Sequence, residues 1–146
     1  MKLQTKYFGE IEINNDTVIE FPDGIPGFEQ YKQYAIIKNP DEENPLHWLQ
    51  CMEDGDLTFV VINPFMAKED YDFYLPDSMI EKLRISDIKD VMVLSFVTIP
   101  EEITKMTINL KAPLIINIHS KLGKQLILDD AVYPAKYLVI QEKSKG

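Results

Sequence analysis

Apolar and polar residues alternate with a period of two over most of the chain. In GEIEIN (9 to 14), Ile11 and Ile13 fall on one side and Glu10, Glu12 and Asn14 on the other, the pattern of a strand with one buried face. After the turn cluster Asn14-Asn15-Asp16 the chain extends again over 17 to 21. Further β-rich runs follow at 34 to 38, 47 to 52, 57 to 62, 91 to 99, 106 to 110, 114 to 119, 124 to 129 and 136 to 141. Turn residues separate them: Asp54-Gly55-Asp56, Asn63-Pro64, Pro100-Glu101-Glu102, Ala112-Pro113 and Leu122-Gly123. The pattern predicts a mostly β chain whose antiparallel sheet closes into a barrel or folds into a sandwich, because long open edges invite aggregation. One segment breaks the period. Beyond Pro76, Asp77 and Ser78, the apolar residues Met79, Ile80 and Leu83 stand at i, i+1 and i+4 among Glu81, Lys82 and Arg84, which predicts a short helix over 77 to 84.

The stretch FPDGIPGFEQY (21 to 31) packs two prolines and two glycines between aromatics. It lacks the lysine, third glycine and following helix of a phosphate loop, so a structural role is expected. Pro22 and Pro26 are expected to hold the chain extended ahead of two turns at Gly24 and Gly27, with Phe21 and Phe28 plugging opposite sides of a barrel end.

A chain of 146 residues, 45% hydrophobic and without internal repeats, fits one globular domain spanning 1 to 146. The start, MKLQTKYFGEIEIN, has no apolar core of a secretory signal, and apolar runs such as FVVI and LIINI are far shorter than the ~20 residues of a membrane helix. A cytoplasmic protein without membrane contact is expected, and the lone Cys51 suits a reducing compartment. The net charge of −9 is uneven: residues 1 to 104 hold 21 acidic and 8 basic residues, and 105 to 146 hold 3 and 7. With one arginine, Arg84, and an acidic body, direct nucleic-acid binding is disfavoured, while a basic protein partner would be attracted.

Catalytic residues are sparse. There is no G-x-S-x-G, H-E-x-x-H, C-x-x-C or P-loop pattern. His47 and Cys51 share a strand face but sit roughly 13 Å apart along it, too far for a thiolate–imidazole pair or a shared metal. His119 has Ser120 beside it and no acid close in sequence. The acidic groups at 41 to 43 and at 53, 54 and 56 do not match the EF-hand spacing. No catalytic, cofactor or metal site is expected. An enzyme or ligand-binding protein using the barrel mouth remains the alternative reading, and it would need an acid pair that no spacing supplies.

Binding features are richer. FMAKEDYDFYL (65 to 75) mixes Phe65, Met66, Tyr71, Phe73 and Tyr74 with Glu69, Asp70 and Asp72. Aromatics supply contact area and acids supply steering for a basic, partly apolar partner, unless Tyr71 and Phe73 point into the core of an edge strand.

GIPGFE (24 to 29), Trp48-Leu49-Gln50, Asn63-Pro64, Asn109-Leu110-Lys111-Ala112-Pro113 with Ile116-Asn117, and Gly123-Lys124-Gln125 follow one another in an order and spacing that resembles the FliW family of flagellar assembly factors, over about residues 3 to 141. Cys51 departs from the small polar residue expected after Trp48-Leu49-Gln50. The resemblance implies a non-enzymatic cytoplasmic β-barrel that binds flagellin before export. It also implies binding of the translational regulator CsrA, away from its RNA-binding surface, which relieves repression of flagellin mRNA. Candidate partner contacts are Glu69, Asp70, Tyr71 and Asp72, the turn Pro100, Glu101 and Glu102, and Asn109 and Asn117; the two asparagines alternatively satisfy backbone groups at turns.

Overall fold

The computed structural model describes residues 1 to 129 and 132 to 139. Its strands are β1 (Lys2–Thr5), β2 (Gly9–Glu12), β3 (Val18–Glu20), β4 (Gln33–Ile37), β5 (His47–Cys51), β6 (Thr58–Ile62), β7 (Val91–Thr98), β8 (Thr107–Ile108), β9 (Leu114–Asn117), β10 (Leu122–Gln125) and β11 (Tyr137–Leu138), with one α-helix, α1 (Asp77–Lys82). Successive strands from β3 to β7 pair antiparallel. β7 pairs with β9, β9 with β10, and β10 returns to β3, so seven strands close on themselves. Closure leaves the ring no open edge. The expected barrel is present with one departure: β10 meets β3 in parallel, through the single pair Leu122 and Glu20. β1 and β2 form a separate hairpin, and β8 and β11 extend from β7 outside the ring.

β1 is absent from the sequence-based expectation because KLQT carries one apolar residue and no alternation to read. The run 124 to 129 shifts to β10 at 122 to 125, and 106 to 110 and 136 to 141 shorten to β8 and β11; residues 140 and 141 lie outside the described residues. The helix ends earlier than 84, where Arg84 turns left-handed at φ 57°.

Alternation sorts the walls into layers. Leu114 and Ile116 of β9 point into the barrel with Leu49, Cys51, Val61 and Leu94. Ile115 points outward into a second core under residues 63 to 83, where Tyr71, Met79 and Leu83 cover it. β1 and β2 close a third core with Ile13 over Ala35 and Met52. Every residue of β9 is therefore buried, and period two is hidden there because both faces are covered.

The family-like residues make this chain path. Between the pairs Val97–Ile108 and Leu94–Leu114, β7 takes three steps and the opposite chain six. The surplus leaves the ladder at 109 to 113, where Asn109 Oδ1 accepts the Lys111 and Ala112 N–H groups at 3.0 Å each. In FPDGIPGFEQY, the Gly24 N–H donates to Phe21 O at 2.8 Å and the Phe28 N–H to Ile25 O at 2.7 Å, closing two tight turns. Pro22 and Pro26 occupy the first corners of these turns, so they bend the chain rather than extend it, and Gly27 (φ 91°) supplies the left-handed second corner of a type II turn. Ring contacts link Phe21 to Phe28: Phe21 packs on Tyr34 (5.5 Å), Tyr34 on Phe59 (6.1 Å) and Phe59 on Phe28 (5.2 Å), with Phe21, Tyr34 and Phe59 in the inner core. Gly123 makes room for Phe21: a Cβ there would meet its ring at 2.6 Å.

Asp23 ties the same loop to α1 and β10 through Lys82 and, at 2.7 Å, Lys124. Hydrogen bonds from Lys124 and then Lys82 lower its pKa to about 2. A depressed carboxyl pKa gives stability that is present above the unfolded value near 4 and is lost as pH falls toward about 2. Asp23→Asn should therefore flatten the acid limb of a urea-midpoint titration between about pH 4 and pH 2. The effect should be small and salt-sensitive, since these groups are partly exposed.

Candidate partner-docking surface

Residues 63 to 76 cross the outer wall as a strap, and side-chain hydrogen bonds fix which residues it displays. Asn63 Oδ1 accepts the Phe65 N–H at 3.0 Å and opens a 3-10 turn over Pro64–Met66, in which Pro64 is buried. Tyr71 then turns inward. It is buried, its hydroxyl donates to Leu110 O at 2.6 Å in the 109 to 113 bulge, and its ring meets those of Phe65, Phe73 and Tyr133. The Asp72 N–H donates to the Tyr133 hydroxyl at 3.0 Å. With Tyr71 locked inward, Asp72 and Tyr74 project outward, Tyr74 being 95% exposed. Burial pushes the Tyr71 phenol well above its ordinary pKa, so it stays a neutral donor.

Two depressions flank the strap. One of about 300 Å³ lies between Phe65, Phe73, Leu75, Ile88 and Val93, with Asp72 at its edge. The other, about 220 Å³, lies between Phe73, Tyr74, Leu128 and Tyr133 with Asp72 and Asp129. Glu69 is exposed, and Asp70 pairs with Lys68 at 2.8 Å, a hydrogen bond that holds the Asp70 carboxyl below the usual range. The 99 to 105 loop carries exposed Glu101 and Glu102 between Ile99 and Ile103, with Glu102 3.8 Å from Lys105; Pro100 is half-buried. β11 joins the two acidic segments: Lys68 lies 5.8 Å over the Tyr137 ring, and the Val139 N–H donates to Met106 O at 3.0 Å.

Two candidate contacts fall on the inside, and a third is engaged in its own turn. The Tyr71 side chain is committed to Leu110 O. Asn117 is buried: its Nδ2 donates to Leu83 O (2.8 Å) and Arg84 O (3.0 Å), capping the end of α1, while its Oδ1 accepts the His119 N–H at 2.9 Å. Asn109 is half-buried, with its Oδ1 engaged in its own turn. The Tyr71 and Asn117 side chains shape the surface from within. Glu53 and Asp54 are likewise structural: Glu53 Oε1 accepts the Lys32 and Gln33 N–H groups, and Asp54 Oδ2 accepts the Tyr31 hydroxyl.

Sequence reasoning missed Asp129, Tyr133 and Ile103, whose signals are single residues in loops. It also missed Asp90, which the fold brings to 3.0 Å from His119 Nε2. Ser120 does not extend that pair toward a triad, because its hydroxyl donates to Leu83 O at 2.9 Å. Cys51 is buried in the barrel core as a small apolar side chain, and burial raises its thiol pKa.

Fold and surface together define a small closed barrel that presents an acidic, aromatic strap. Residues 2 to 139 match the family model described as FliW protein. The chain is 55% identical over 145 residues to the flagellar assembly factor FliW of Alkaliphilus metalliredigens, covering 99% of this chain and 90% of that one. It is 44% identical over 139 residues to the FliW of Caldicellulosiruptor bescii, covering 95% and 90%. A crystal structure of the flagellar assembly factor FliW superposes with a TM-score of 0.90 at 37% identity, covering 98% of this chain and 99% of that chain. The chain belongs to the FliW family of flagellar assembly factors. Among the described residues, no helix is long and apolar enough to cross a membrane.

Proposed function

We propose that this chain acts in the cytoplasm, without catalysis, by binding flagellin and the translational regulator CsrA, and that bound CsrA no longer represses flagellin mRNA. Family membership supports the flagellar setting. The observation that carries the reading is the strap: Tyr71 is fixed inward, which holds Glu69, Asp72 and Tyr74 outward beside apolar depressions. Such a surface suits a basic, partly apolar protein. A carboxylate cluster docked beside a basic RNA site repels phosphates within a Debye length, ~8–10 Å at physiological salt. The net charge of −9 argues against direct RNA binding by the chain itself.

The test neutralises the outward acids in pairs, Glu69→Gln with Asp72→Asn, and Glu101→Gln with Glu102→Gln. Displacement of RNA from CsrA should weaken several-fold for at least one pair, and the parent's advantage should shrink as salt rises. If both pairs displace RNA as the parent does, at low and high salt alike, the electrostatic reading is wrong.

A further inference from the structure

One open end of the barrel carries a second, differently charged groove. Two adjoining depressions, of about 460 and 450 Å³, share Ile36, Lys38, Met92 and Ile118. Ile36 and Met92 also pack on the inner core, so the floor is the exposed top of the barrel interior. Lys38 and Lys121 stand over this floor, with Lys89 at one end and Asp16 at the other. Lys89 has Asp87 3.5 Å away. Among the described residues, neither Lys38 nor Lys121 lies within ion-pair distance of a carboxylate. In a chain of net charge −9, this is a basic rim on an apolar trough. The depression beside the strap is lined by Asp72 and no lysine. The two share Phe65, Val91 and Val93, so one wall separates an acidic groove from a basic one.

Lys121 carries an independent mark. It ends the β9–β10 turn at φ 59°, a left-handed position that is strained for a residue with a side chain and that glycine occupies freely. The turn would close more easily with glycine, yet an ammonium stands there over the groove.

We propose that the barrel mouth is a second docking site, which takes an amphipathic segment of a partner protein bearing acidic residues. Its apolar side chains lie on Ile36, Met92 and Ile118, and its carboxylates meet Lys38 and Lys121. The occupant is set by charge complementarity: a basic segment belongs on the strap, an acidic one here. A site of this kind also explains how one small barrel can engage two unlike partners from adjoining surfaces.

The test uses the full chain and a fluorescein-labelled amphipathic peptide of about 16 residues, long enough to hold a helix, with leucines on one face and glutamates along its edges. A second peptide has lysine at every glutamate. The glutamate peptide should bind, more weakly as salt rises, and the lysine peptide should bind this groove at least tenfold more weakly. Lys38→Glu and Lys121→Gly should each reduce affinity for the glutamate peptide several-fold, while Asp72→Asn leaves it unchanged. Lys121→Gly guards against misfolding, because it should melt at or above the parent temperature while binding less. The proposal falls if Lys121→Gly and Lys38→Glu bind the glutamate peptide as the parent does, if both peptides compete equally for one site, or if Asp72→Asn alone abolishes binding. It also falls if sedimentation shows a dimer that Lys38→Glu dissociates, since the occupant is then a second copy of the chain. None of these results bears on RNA displacement by the strap variants, so the two readings fail separately.

Discussion

Gly24→Val should destabilise the protein by about 3 kcal/mol or more, enough to leave much of it unfolded at ordinary temperature. Two effects combine at this position. Gly24 sits at φ 70°, where a β-branched residue is strained, and a Cβ would lie 2.6 Å from Glu29 Cα and 2.9 Å from Glu29 O. Both obstacles are backbone in the double turn that Asp23 and Phe21 anchor, so no side-chain rotation relieves them. Gly27→Val is the internal control. Its φ of 91° carries the same kind of strain, but nothing lies within 4 Å of its Cβ, so its loss should be smaller, about 1–2 kcal/mol. Urea melts of the two variants should rank in that order. A Gly24→Val protein that melts with the parent would refute the account of the turn, and one that melts normally yet loses a partner would return the loop to the list of binding sites.

Gln50→Ala should cost about 3 kcal/mol without touching the strap. Gln50 is buried at the end of β5. Its Nε2 lies 3.0 Å from Cys51 O, 3.2 Å from Leu57 O, 3.3 Å from Gly55 O and 3.4 Å from Asp54 O, and its Oε1 accepts the Thr58 hydroxyl. One amide thus serves the carbonyls that crowd inside the β5–β6 turn; alanine removes it from the core and leaves Asp54 O, Gly55 O and Leu57 O only the backbone N–H groups of Leu57, Lys6 and Cys51. Gln50→Glu should be worse at neutral pH, because it sets a carboxylate against those oxygens. Its pH dependence has a definite sign. A buried carboxyl is driven to a folded pKa above its unfolded value near 4.3, so the penalty vanishes below that value and grows to its full size above the folded one. The urea midpoint of Gln50→Glu should therefore rise on going from pH 7 to pH 5, and that of Gln50→Ala should not follow it. Parallel pH profiles for the two variants would contradict this placement of the amide.

These two residues show why the fold was more legible in the sequence than the docking surface. Of the residues that carry the resemblance, GIPGFE, Gln50, Asn63-Pro64, Asn109, Asn117, Gly123 and Gln125 make a turn, cap an element or clear space for a ring, while Leu49, Leu110 and Ile116 fill the cores. Backbone geometry of that kind demands particular residue types, so it leaves a mark in the chain. The short helix after Pro76 was readable from its apolar spacing, whereas alternation left barrel or sandwich open and the closed ring came from the resemblance. The parallel contact of β10 with β3 was not readable, because it follows from the odd number of strands in the ring, which alternation within single strands does not reveal.

The strap was half readable. Its acid and aromatic content stood out, but the side that Tyr71 faces is decided by Leu110 and Tyr133, 39 and 62 residues further on. Asn117 takes the alternative role named for it, an amide that satisfies backbone groups at a turn, but that the end of α1 is its partner depends on residues 33 and 34 positions away. The basic rim at the barrel mouth draws on Lys38, Lys89 and Lys121, which no window of sequence brings together.

The central claim is that the strap and the 99 to 105 loop form the partner surface. Hydrogen exchange of the chain, alone and saturated with purified flagellin or CsrA, tests it directly. Exchange should slow in peptides covering 65 to 75 and 99 to 106 with at least one partner, while the β1–β2 hairpin exchanges as in the free chain. Protection of that hairpin with no change in either acidic segment, for both partners, would contradict the claim.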